Sequence, residues 1–110
     1  MAGCADVLRA LTGSVGSYFR PSGIDRATPL MLAVAGAAGY RTSLAFDVDP
    51  HDYQDPGSSA VSQRLLTAVR PGSVVSLHLG HQGTVDALPA ILDGLRAKGL
   101  RPVTASALLA

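Results

Sequence analysis

Short β-branched or aromatic runs alternate along the chain with stretches whose apolar residues recur at helical spacing, and proline and glycine mark the joins. Ala5 to Leu11, with Val7, Leu8 and Leu11 on one side, predicts a short helix stopped at Gly13. Ser17 to Arg20 predicts a strand ended by Pro21 and Gly23. Thr28 and Pro29 predict a helix start, because a threonine hydroxyl accepts an orphan amide and proline is pre-shaped for the first helical position. That helix carries Leu30, Val34 and Ala37 and ends at Gly39. Tyr40 to Val48 predicts a strand, and Asp49 to Gly57 a polar loop.

Ser58 or Ser59 then caps a helix whose inner face is Val61, Leu65, Ala68 and Val69, and Pro71-Gly72 breaks it. Ser73 to Leu79 is a β-branched run that predicts a strand buried on both faces. After the loop Gly80 to Gly83, Thr84 or Asp86 caps a long helix with Val85, Leu88, Leu92 and Leu95 on one face. Pro89 is tolerated there in or just past the first turn, and Gly99 closes the helix. Pro102 to Thr104 predicts a last strand, and Ser106 to Leu109 a terminal helical turn.

Strand and helix therefore alternate, which predicts an α/β fold of parallel strands joined by helices. The chain of 110 residues predicts one domain, residues 1–110. Apolar residues make up 47% and charged residues 15%, so disorder is excluded and an apolar face seeking a partner is expected. The nine basic residues are scattered and net charge is +1, which speaks against a nucleic-acid or anionic-membrane partner. Cys4 is the sole cysteine, so no intramolecular disulfide can form. No apolar run is long enough to span a membrane, and the N-terminal stretch has neither a basic segment nor a long apolar core. As written, the chain is expected to stay in the cytoplasm.

In parallel α/β folds, chemistry gathers at the C-terminal ends of strands. Here those ends carry Arg20, then Asp49, His51 and Asp52, then His78 with His81 in the following loop. Taken alone these are strand-end polar residues as well as candidate catalysts. His78 and His81 stand three apart, and a metal shared between them, with His51 as a third ligand, is an alternative use of the same residues.

The ordered strings YFRPSG, DVDPHDY and RPGSVVSLHLG, followed by GTVDALPAILDGLRAKGLRPVT, resemble the later motifs of the polysaccharide deacetylase family of carbohydrate esterases. The likeness runs from about Tyr18 to the C-terminus. It implies the C-terminal portion of a distorted (β/α) barrel. The implied reaction is metal-dependent removal of acetyl groups from a glycan, a divalent cation such as zinc holding the attacking water. His78 matches the family's catalytic acid and Asp52 the carboxylate that supports it. Arg20 matches the arginine that orients the base, and Ser22 and Gly23 the turn whose amide faces the oxyanion. Tyr53 stands where the family commonly has tryptophan beside the groove.

Departures from the family pattern are equally specific. RPSG is one residue shorter than the commoner turn, and Leu79 stands where an acidic residue is usual. The family's metal is held by an early Asp-Asp pair, whose first aspartate is the base, and by an early His-x-x-x-His; neither occurs here. No metal is therefore expected on this chain alone, and an acetylated polysaccharide or peptidoglycan-like glycan is the implied substrate. A missing N-terminal half or self-association is the expected complement. The rival reading is a non-catalytic module that binds glycan or a partner protein.

Overall fold

The computed structural model describes residues 2–110, which separate into two compact units, one ending at Ala45 and the other spanning Phe46–Ala110. In the first unit, helix α1 (Ala2–Thr12) buries only Ala5. Strands β1 (Tyr18–Phe19) and β2 (Thr42–Ser43) pair in parallel, Tyr18 opposite Thr42 and Phe19 opposite Ser43. Helix α2 (Pro29–Ala37) lies between them in sequence and begins as its residues dictate: the Thr28 hydroxyl accepts the Met31 amide at 3.3 Å, with Pro29 first in the helix. It ends where Gly39 takes φ +97°, so that the Gly39 and Tyr40 amides fold back onto the Gly36 and Ala35 carbonyls. Of the apolar residues α2 carries, Leu30 and Val34 are exposed and Ala35 is the residue buried.

The second unit holds helices α3 (Ser58–Ala68) and α4 (Gln82–Ala97), a three-residue 3₁₀ turn at Asp52–Gln54, and the short α5 (Ala105–Leu108). Its core is Val48, Val61, Leu65, Ala87 and Ile91, with Leu66, Val69, Val75, Leu77 and Leu95 packed around it. The parallel strand order expected between residues 40 and 79 contracts to β2 and a single parallel bridge, Val48 opposite Val75. Ser73 to Leu79 is not a strand buried on both faces, since only Ser76 within it is buried and Leu79 is 100% exposed. Pro102 to Thr104 likewise forms no strand.

Helix α4 begins at least three residues earlier than expected, and its buried face is shifted by one position. It starts at Gln82 with His81 as the cap, and it buries Thr84, Ala87 and Ile91 while Val85, Leu88 and Leu92 face out. Small residues allow the close packing that larger ones would prevent. At Gly94 a β-carbon would lie 2.4 Å from one Leu66 methyl and 3.1 Å from its Cγ, so α4 meets α3 closely there. The early start also puts Pro89 in the helix interior rather than its first turn; Pro89 and Val85 are both exposed, so water can take the carbonyl that proline leaves unpaired.

Gly94→Ala is expected to lower the unfolding free energy by about 1–2 kcal/mol in urea titration. The whole Leu66 side chain must move, which outweighs the roughly 1 kcal/mol that alanine gains over glycine in a helix.

Candidate functional site

The chain from Asp47 to Asp55 is held by its own side chains. Asp47 accepts the Ser73 hydroxyl at 2.8 Å and the Val74 amide at 2.7 Å, tying the turn after α3 to the start of this loop. Asp49 accepts the His51 amide at 2.9 Å, and Arg64 on α3 donates to the Pro50 carbonyl at 3.2 Å. His51 and Asp55, on either side of the 3₁₀ turn, both have left-handed backbone, φ 53° and 52°. Such backbone is uncommon outside glycine and persists where the surroundings impose it.

That loop delivers Asp52 into the interior, 1% exposed. Oδ2 accepts the His78 backbone amide and the Thr84 hydroxyl, each at 2.7 Å, and Oδ1 meets the His78 ring at Nδ1, 2.8 Å away. The His78 side chain is 37% exposed, so the ring is anchored at one nitrogen and open to solvent over part of its surface. Tyr53 meets that ring edge to face, with centroids 5.0 Å apart, and meets His51 in the same manner at 5.8 Å. A second histidine–aspartate pair stands three residues along both segments, His81 Nδ1 to Asp55 Oδ1 at 2.8 Å.

Burial alone pushes the Asp52 carboxyl up. The Thr84 hydroxyl, the His78 amide and the His78 ring together outweigh it and hold the group below its ordinary value. Asp47 is lowered in the same way, burial raising it and the Val74 amide and Ser73 hydroxyl more than compensating. In both cases the unfolded chain takes up protons at a higher pH than the native one, so stability rises with pH across that interval. Urea titrations are expected to show a contribution that is complete above about pH 4 and is lost as the pH falls below it toward the lowered native values. A stability unchanged between pH 6 and pH 3 would contradict it.

Of the residues singled out in the sequence, the structure brings Asp52, His78 and Tyr53 together. Arg20, Ser22 and Gly23 lie in the first unit. There Arg20 donates to the Pro21 carbonyl at 2.8 Å, Pro21 is buried, and Ser22 and Gly23 form an exposed turn with Gly23 at φ +77°. Thr84 entered the sequence reading only as a possible helix cap. Its burial next to Asp52 follows from its place on one helix face with Ala87 and Ile91, where the polar threonine and the small alanine give no large apolar signal beside Ile91.

Among the described residues no three histidine, cysteine, aspartate or glutamate side chains converge on one point. His78 and His81 each commit Nδ1 to a separate aspartate. These residues do not compose a ligand set for a divalent metal, and no step below is routed through one.

No family model matches the chain. It is 36% identical over 95 residues to a peptidoglycan-N-acetylglucosamine deacetylase of Bacillus cereus, covering 83% of this chain and 44% of that protein. It is 37% identical over 65 residues to a chitooligosaccharide deacetylase of Rhizobium leguminosarum bv. trifolii, covering 59% of this chain and 27% of the relative. Among solved structures, a peptidoglycan N-acetylglucosamine deacetylase superposes with a TM-score of 0.82 at 28% identity, over 94% of this chain and 50% of its own. The chain thus spans less than half the length of the curated relatives it matches.

Proposed function

For a chain that is a partial-length homologue of the polysaccharide deacetylases of carbohydrate esterase family 4, we propose that it carries the acid side of a deacetylation site acting on an N-acetylated glycan. The observation that supports this most is the buried carboxylate of Asp52 holding Nδ1 of a partly exposed histidine. With Nδ1–H turned to Asp52, the other ring nitrogen, Nε2, is the one to carry and give up a proton. The donated proton goes to the amine nitrogen as its bond to the acetyl carbon breaks. Tyr53, exposed beside the ring, offers a face to a sugar.

In this reading Arg20 orients a base carboxylate supplied from outside these residues, and the Ser22–Gly23 turn offers an amide to the oxyanion. The parallel strands and their helices are read as part of a distorted (β/α) barrel. Deacetylases of this family are generally metal-dependent, and a metal would polarise the acetyl carbonyl and activate water. The residues of this chain do not form such a site, so the site is read as incomplete on them.

A chimera tests the assignment. Residues 2–110 replace the matching part of the Bacillus cereus relative, and acetate release from a chitooligosaccharide is measured with zinc present. Release by the chimera, with none from the 110-residue chain under the same conditions, is the expected result. A folded chimera that releases no acetate would sink the acid assignment, and zinc-dependent release by the chain alone would sink the claim of incompleteness.

A further inference from the structure

The Asp52 carboxylate has two oxygens with unequal duties. An ionised carboxylate only accepts hydrogen bonds, so the Thr84 hydroxyl 2.7 Å from Oδ2 must donate. The His78 amide reaches the same oxygen, also at 2.7 Å. Oδ1 is then left to the His78 ring. We infer that Thr84 is a positioning residue for His78: by filling Oδ2 from α4, it fixes the carboxylate's rotation and dedicates Oδ1 to the ring's Nδ1–H. The inference rests on the acid reading of His78 given above.

Two features set Thr84 apart from an ordinary buried threonine. Its side chain is 6% exposed, and Asp52 accepts the bond its hydroxyl donates, so the bond is fully inside and charge-assisted. It also comes from a different element than the other two donors. Both of those belong to residue 78, so without Thr84 nothing on α4 restrains the carboxylate plane. A carboxylate free to turn shares its oxygens between amide and ring, and the ring loses the constraint that keeps its proton on Nδ1.

Valine matches threonine in shape without the hydroxyl, and serine keeps the hydroxyl without the methyl. In the isotope-labelled full chain, Thr84→Val is expected to raise the Asp52 carboxyl titration, followed by carbon-13 NMR, by about 1–2 pH units. The nitrogen-15 shifts of the His78 ring should change from a single Nδ1–H tautomer to a mixture. Thr84→Ser should restore both. A purely packing role would lower the unfolding midpoint of Thr84→Val and leave titration and tautomer as they are, and that result overturns the inference.

If Thr84→Val does not fold, Thr84→Ser decides. A folded serine variant with the native titration and tautomer supports the role of the hydroxyl, and one with both displaced overturns it. None of these readouts uses acetate release. A chimera without deacetylase activity therefore removes the acid reading while the assignment of the two oxygens stands or falls on NMR alone.

Discussion

His78→Ala, placed in the chimera that completes the site, is expected to lower kcat for acetate release by about 10²–10⁴-fold, the usual worth of a positioned general acid. The loss should fall on kcat more than on KM, because on the proposed assignment the ring contributes when the leaving amine needs its proton rather than when the glycan docks. The fold should survive. The His78 ring is over a third exposed, and the bond from residue 78 to Oδ2 of Asp52 is made by its backbone amide, which alanine keeps. Removing the ring leaves the buried carboxylate two of its three donors and costs Tyr53 an edge contact. Steady-state kinetics beside a thermal melt separate the two effects. A variant with full kcat would mean that another group protonates the amine.

Asp52→Ala is the opposite case, and it is expected to cost about 3–5 kcal/mol of unfolding free energy, the combined penalty of two stranded interior donors and a cavity. The carboxylate is enclosed and answers three donors from two segments. Alanine strands a threonine hydroxyl and a backbone amide in the interior and leaves a cavity where the carboxylate was. Small domains have only about 5–15 kcal/mol in total, so a fall in melting temperature of more than about 10 °C is expected. Asp52→Asn, which keeps the shape, should lose less. Its amide group must turn an N–H toward either the two donors at Oδ2 or the ring, so it should perturb the ring tautomer more than the fold. Urea titration of both variants checks the order, and an alanine variant as stable as the native chain would contradict the burial argument.

How far these features could be read in the sequence depends on the range of the interaction that makes them. The start of α2 was legible because threonine and proline act on the next three residues. The Asp49 bond to the His51 amide acts over a similarly short range, whereas Asp47 reaches the Val74 amide 27 residues away, which nothing local to either residue announces. The meeting of Asp52 with His78, 26 residues apart, was legible only through the order and spacing of family motifs, since nothing local to either residue demands the other. The strands were over-read. β-Branched runs at Tyr40–Val48 and Ser73–Leu79 state a tolerance for extended backbone, whereas a ladder needs a neighbour in register, and here it reduces to Thr42–Ser43 and one bridge at Val48. On α4 the large apolar residues Val85, Leu88 and Leu92 share a face that meets solvent, and of that set only Leu95 packs against the core. The face that packs is Thr84, Ala87 and Ile91, with Gly94 against Leu66, and at Ala87 and Gly94 small size lets the helices approach.

The Asp52–His78 pair also divides information unevenly between its members. Asp52 is tied into the fold through a backbone amide and a helix hydroxyl, so a copy of this domain that had abandoned chemistry would still lose stability on losing it. The histidine ring is under far weaker structural obligation, because any residue but proline at position 78 supplies the same amide. Across a set of related chains, the aspartate therefore reports that the domain still folds this way. On the proposed acid role, the imidazole opposite it reports whether the domain is still asked to move a proton.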